Sequence, residues 1–252
     1  MKTTLLFLLL SVLSLCSIAQ EMSDITKASP KVHKNVIKFL PVNLYFNNIS
    51  LEYERKFSPK NSFILGVGIP SEKSFISKFS SNVDPNDFSN DLLRTTAIRA
   101  AYRHYTGNHT QPAGFYISPY LKYQTYSISG KRNESTDLGI SFKEDIKIDG
   151  STMSAGLQFG AQLMIAKRVC IDFYFLGIEA GLATFDEKVT TNSSDPTVLN
   201  AMFQYAQEFK SDLPSFIGDK LTVSKTGSTI GIKGASIPYP WFRGGISIGI
   251  AF

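Results

Sequence analysis

The sequence predicts an all-β protein: an eight-stranded antiparallel up-and-down transmembrane β-barrel with long extracellular loops, one containing a short helix. Three observations carry this. Residues Trp241–Phe252 (WFRGGISIGIAF) set Phe242, Ile246, Ile248, Ile250 and Phe252 at every second position, with Gly244 filling the break in the row. Side chains of a strand point alternately to its two faces, so one face is greasy and the other small or polar. Six earlier stretches alternate in a similar way, and a seventh is nearly continuously apolar. Beyond Gln20 no stretch holds the roughly 18 consecutive apolar residues of a membrane-crossing helix, whereas a crossing strand needs about ten with every other one apolar.

Residues 1–19 read as a secretory signal peptide: Lys2, a largely apolar run from Leu5 to Leu15, and Ser17-Ile18-Ala19 before the cut. That run is too short to cross ~30 Å of hydrocarbon. A lipoprotein box at Leu13–Cys16 is the weaker alternative, because Leu15 stands where a small residue is needed. Cleavage removes Cys16 and leaves Cys170 alone, so an exported chain forms no intramolecular disulfide. Residues 20–34 are polar and form a periplasmic lead-in, and residues 35–252 form the outer-membrane barrel domain. The net charge of +5 is spread along the chain without a basic stripe, so nucleic-acid binding has no support.

The first strand, Asn35–Phe46, is nearly continuously apolar. Lys38 and Asn43 interrupt it with opposite parity, and Pro41, which cannot donate to a ladder, is the natural place for a bulge. Asn47-Asn48 predicts a two-residue hairpin. The second strand, Ile49–Phe57, alternates Ile49, Leu51, Tyr53 and Phe57 against Ser50, Glu52, Glu54 and Lys56. After the turn at Ser58–Lys60, the third, Asn61–Ile69, sets Phe63, Leu65, Val67 and Ile69 against Ser62, Ile64, Gly66 and Gly68. A long polar loop, Pro70–Asp91, precedes the fourth, Leu92–Tyr105, where Ile98, Ala100 and Tyr102 oppose Thr95, Ala97, Arg99 and Arg103. The fifth, Gly114–Tyr126, carries Pro119 as an irregularity and faces Lys122 the same way as Tyr116 and Tyr120.

Ser127–Asp149 reads as a second long loop. The sixth strand, Gly150–Ile165, turns tightly at Ala166–Arg168 into the seventh, Val169–Thr184, whose register changes near Gly177. Phe185–Tyr239 is the longest connection. Within it Asp195-Pro196 has the order of a helix cap and first residue, and Leu199, Met202, Phe203, Ala206 and Leu213 follow at mostly helical spacing, an apolar stripe expected to dock on the barrel rim, with a lid or a ligand surface as the alternative. Leu221–Val223 and Thr229–Ile232 read as a small hairpin. With a periplasmic N-terminus, the links after strands two, four and six are short and periplasmic. Those after three, five and seven are long and extracellular, and the first outer loop is an exception.

An eight-stranded barrel is about wide enough inside to be filled by side chains. Glu52, Glu54, Asp172 and Glu179 would share that interior with Lys56, Arg99, Arg103, Lys122 and Arg243. Buried charges are tolerated when paired, so the sequence predicts a lumen salt-bridge network of Glu52, Glu54, Arg99, Arg103, Lys122, Asp172, Glu179 and Arg243. A charged conduction path is the alternative.

The segments Asn48–Arg55 (NISLEYER) and Gly114–Tyr120 (GFYISPY), with the terminal strand, resemble the small OmpA-like outer-membrane barrels and the function-unassigned barrel families common in the Bacteroidetes. The resemblance covers about Asn35 to Phe252 and specifies a barrel rather than an activity. It implies that Phe242, Ile246, Ile248, Ile250 and Phe252 form a C-terminal insertion signal read by the barrel-assembly machinery. It also implies a surrounding of outer-membrane lipid and lipopolysaccharide. No peptidoglycan-binding domain of the OmpA type is expected after the barrel.

Some small outer-membrane barrels modify lipids with a histidine beside a nucleophile, and such catalysis needs the two within hydrogen-bond reach. Here His33, His104 and His109 all fall towards the periplasmic end. No His, Cys or carboxylate cluster has metal-ligand spacing. The expectation is therefore a protein that is not an enzyme and has no cofactor or metal, with a structural, adhesive or ligand-binding role through its extracellular loops towards an unknown ligand. A lipid-modifying enzyme, a narrow-pore transporter and a soluble lipocalin-like barrel with its apolar faces inward are the alternatives.

Overall fold

The computed structural model describes residues 33–71, 92–135 and 141–252. The strands among them are β1 (Asn35–Phe39), β2 (Asn48–Lys56), β3 (Asn61–Pro70), β4 (Leu92–Tyr105), β5 (Gly114–Ser135), β6 (Ser141–Ile165), β7 (Val169–Thr191), β8 (Leu221–Thr226) and β9 (Thr229–Ala251). Two helices, α1 (Pro196–Asp212) and α2 (Ser215–Gly218), stand between β7 and β8. Sequence neighbours pair antiparallel from β1 to β7, β7 then pairs with β9, and β9 closes the ring on β1. The closing register runs from Val36↔Ala251 to Phe39↔Ile248. Phe252 N–H donates to the Asn35 carbonyl at 2.9 Å. Eight strands therefore form the ring, and β8 is an appendage on the outer stretch of β9.

The signal peptide assigned to residues 1–19, and the lead-in as far as residue 32, lie outside the described residues. So does most of the loop after β3, residues 72–91.

One end of the ring carries β1's start, β9's end and tight turns; call it the turn end. At Ala166 and Lys167, the central residues of the turn closed by Arg168 N–H donating to the Ile165 carbonyl at 3.1 Å, both φ values are left-handed, 48° and 62°, which matches the strands' own twist. Pro119 interrupts the β4–β5 ladder: Ala101↔Tyr120 and His104↔Ile117 pair, and the positions between do not. There the Ser118 hydroxyl donates to the Tyr102 carbonyl at 3.0 Å, opposite a residue with no N–H to give. The β7 register shifts between Tyr174 and Gly177.

Four expectations are corrected. The first strand ends at Phe39, and Pro41–Phe46 is a 3-10 turn with proline in its first turn, so no bulged strand continues to Phe46. Asn47 is left-handed (φ 52°), but Asn48 already belongs to β2. The polar stretches flanking the second and third long loops are strand: β5 runs on to Ser135, β6 starts at Ser141, β7 reaches Thr191 and β9 starts at Thr229. At ~3.3 Å per residue the 25 residues of β6 extend ~80 Å, far more than a ~30 Å hydrocarbon layer needs. The helix at Asp195-Pro196 is present, its Asp195 side chain accepting from Thr197 N–H at 2.8 Å, but it packs on β8 and β9 rather than on the barrel rim.

Inside the ring, tyrosines of β5 lie over glycines of β6: Tyr116 opposite Gly160, Tyr120 opposite Gly156, Tyr126 opposite Gly150. A Cβ on Gly160 would stand 2.3 Å from the Tyr116 hydroxyl and 2.5 Å from the Phe173 carbonyl oxygen. Gly160→Val is therefore expected to cost about 1–3 kcal/mol by overpacking. Urea unfolding checks this, with Ala155→Val on the outer face as the neutral comparison.

Candidate functional site

The side chains on the inner face at the turn end form a plug. Val36, Lys38, Glu54, Arg103, Tyr105, Gln158, Gln162 and Asp172 are all nearly or wholly inaccessible. Lys38 Nζ lies 2.5 Å from Glu54 Oε2 and 2.8 Å from Asp172 Oδ2. Arg103 reaches the same two oxygens, at 3.2 and 2.9 Å. Two cations from β1 and β4 thus bridge two carboxylates from β2 and β7 across the lumen.

Neutral groups take up the remaining capacity. Glu54 Oε1 accepts from Ser62 at 2.5 Å and Tyr105 at 2.6 Å, and Asp172 Oδ1 accepts from Tyr116 at 2.7 Å. Gln162 accepts from Lys38 (2.6 Å) and Arg103 (2.5 Å) while its amide donates to the Pro112 carbonyl (2.7 Å). The Arg103 guanidinium also stacks 3.7 Å from the Tyr116 ring centroid. A buried ionic group is stable only when so surrounded.

Towards the loop end the charges thin out. Arg99 pairs with Glu52 and reaches Gln158 at 3.3 Å. Glu179 accepts from Lys122 (2.7 Å), Ser154 (2.7 Å), Tyr120 (2.9 Å) and Tyr239 (2.9 Å). Arg243 lies over the rings of Tyr174 (5.0 Å) and Tyr120 (5.4 Å). Lys56 stands apart at the turn end, donating to the Gln111 carbonyl at 2.8 Å over the Tyr105 ring.

Sequence reasoning left Lys38, the inner tyrosines and both glutamines out of the network. The parity conflict between Lys38 and Asn43 hid the first of these. Asn43 belongs to the 3-10 turn, so the strand proper has a single parity, with Val36 and Lys38 inward.

The sequence predicts an interior filled by side chains, and the structure departs from this towards the loop end. Above Glu52 and Arg99 the inward residues become small, among them Ser50, Gly66, Gly68 and Ala97. They leave a cavity of about 630 Å³ open towards the loop end among the described residues. The signal was in the sequence: the polar face of the third strand ends in Gly66 and Gly68.

His104 is exposed at the turn end with Nδ1 2.7 Å from Asn61 Oδ1, and His109 packs beside Gly107 and Gly114 in the same region. Among the described residues no group of three or more His, Cys, Asp or Glu side chains is placed to hold a metal ion. Cys170 is buried with Val36 and Ala251 in a small apolar cluster. No helix among the described residues is long and apolar enough to cross a membrane, which says nothing of strands.

Ring and plug define a class: a closed eight-stranded antiparallel barrel with a charged, hydrogen-bonded interior. The chain belongs to the DUF3575 family, described as proteins of unknown function, whose family model matches residues 62–194, just over half of the chain. The match takes in β4 to β7 and all but the first residue of β3, hence Arg99, Arg103, Lys122, Asp172 and Glu179. Neither the curated proteins nor the solved structures include a significant match.

Proposed function

We propose that the chain is an integral outer-membrane barrel, exported by its leader at residues 1–19, whose turn-end plug faces the periplasm and whose loop end binds an external ligand. The carrying observation is an inverted polarity. Arg103, Lys38 and Glu54 are wholly inaccessible, while Ile98, Leu121, Phe242 and Ile250 are 57%, 59%, 69% and 65% exposed. A water-soluble monomer rarely exposes apolar patches beyond a few hundred Å², and burying ions while exposing aliphatic rows reverses what water favours.

The belt has a membrane's dimension. From Phe242 to Phe252 is ~33 Å along the strand, or roughly 25 Å in height at the tilt usual for such barrels. Phe57 and Tyr102, with ring centroids 6.2 Å apart, and the exposed Phe115 at the start of β5 lie towards its turn-end margin, where an aromatic girdle belongs. In this setting lipid and lipopolysaccharide surround the belt, and the assembly machinery reads Phe242, Ile246, Ile248, Ile250 and Phe252. No catalytic role is proposed. The loop end is the working surface because the cavity opens there and the long strands rise beyond the belt.

The test is gel mobility of protein extracted from outer-membrane fractions. An unboiled sample is expected to migrate apart from a boiled one. Recovery in the aqueous fraction without detergent, with a single mobility, would sink the proposal.

A further inference from the structure

The barrel wall has a seam. β9 pairs with β1 only between Ile248 and Ala251, and with β8 only between Thr229 and Gly234. From Ala235 to Ser247 its edge on that side has no strand partner among the described residues, and the 3-10 turn Pro41–Phe46 packs there instead. The 630 Å³ cavity reaches this seam, where Leu40, just before the turn, and Val42, within it, line it together with Trp241 and Gly244 of β9. Its volume is that of an ordinary small-molecule pocket.

The cavity floor is cationic. Arg99 pairs with Glu52 and Lys122 with Glu179, while Arg243 forms no close ion pair among the described residues and shares the charge of Glu52 with Arg99, so three cations meet two carboxylates. The Arg243 guanidinium faces the cavity over two tyrosine rings. A sheltered pocket with one more cation than carboxylates is a ready partner for an anion, and guanidinium suits the two oxygens of a carboxylate or phosphate. Leu40, Val42, Trp241 and Phe242 give the seam side of the cavity an apolar lining.

We propose that this cavity binds an amphiphile with one anionic headgroup, carboxylate or phosphate, seated on Arg243, its alkyl chain lying in the seam between β9 and the turn at 41–46. The inference rests on the membrane reading for the ligand's origin, while binding itself can be measured in micelles. Trp241 is the chain's single tryptophan and lines the seam, so its fluorescence reports occupancy.

The experiment titrates the full folded chain in micelles with brominated laurate, brominated phosphatidate and, as the neutral control, brominated dodecanol. Saturable quenching by either anion is expected. Quenching by phosphatidate alone makes the occupant a membrane lipid, and quenching by laurate makes it a free amphiphile. Arg243→Gln should weaken the anion on the order of tenfold. Ala97→Phe, which fills the cavity without touching Arg243, should abolish saturation. Heat-modifiable mobility certifies that each variant is folded.

Quenching by dodecanol at the same concentrations, an unchanged affinity in Arg243→Gln, or no saturable quenching overturns the proposal. That result with heat-modifiable mobility intact leaves the outer-membrane reading standing. Loss of heat-modifiable mobility in the unaltered chain would strike only that reading.

Discussion

Replacing Arg103 by alanine is expected to lower the unfolding free energy by about 3–5 kcal/mol, the usual cost of removing one partner from a buried ionic group. Arg103 is wholly inaccessible and bridges Glu54 and Asp172. Without it Lys38 alone must neutralise two carboxylates, and Gln162 loses one of its two cationic donors. The Tyr116 ring loses its stacked cation as well. Arg55→Ala, on the exposed face of β2, should change stability by no more than about 0.5 kcal/mol. Urea titrations in micelles measure both. Asp172→Asn in the Arg103→Ala background should cost less than it does alone, because the two belong to one network. Equal, additive losses would mean that the cross-lumen pairing carries no energy.

Leu121→Arg is the second large effect. The residue lies on the outer face of β5 between Phe115 and Tyr123 and is 59% exposed. On a water-facing surface such a change stays within about 0.5 kcal/mol. In a bilayer, an arginine near the midplane of a barrel's outer face costs about 2–4 kcal/mol. Stability measured after folding into phospholipid vesicles is therefore expected to fall by that amount. The same substitution at Ser129, higher on β5 and beyond the belt, should have little effect. A neutral Leu121→Arg would remove the lipid from the explanation.

These two substitutions mark what could be read in the sequence. Inside the belt the two faces of each strand meet different surroundings, so β2 alternates strictly from Ser50 to Lys56 and its bounds were legible to within a residue. Beyond the belt both faces are polar. Lys131 pairs with Asp145 and Lys233 with Asp186, all on wet strands, so the period-two signal vanishes while the ladder continues. That is why stretches such as Ser127–Ser135 and Lys233–Tyr239 read as loop, whereas the hairpin read at Leu221–Val223 and Thr229–Ile232 is present as β8 and the start of β9. The charge network was legible wherever parity was unambiguous, as at Glu52, Glu54, Arg99 and Arg103. Lys38 was lost because the strand was drawn through a turn. The cavity was legible only as an unremarked row of small inner residues, and the seam not at all, since it depends on how early β1 stops.

The central claim is that neighbouring residues of one strand meet lipid on one side and the lumen on the other, and Ala97 and Ile98 of β4 put it to the most direct test. Ala97 lines the cavity and Ile98 is 57% exposed on the outer face. Nitroxide labels at Ala97→Cys and Ile98→Cys, in a chain lacking its native cysteines and folded into vesicles, can be relaxed by oxygen, which concentrates in hydrocarbon, or by a water-soluble nickel chelate. The label at 98 should respond to oxygen and not to nickel, and the label at 97 to nickel. Equal nickel accessibility at both positions, or a water-exposed 98 beside a protected 97, would contradict the claim.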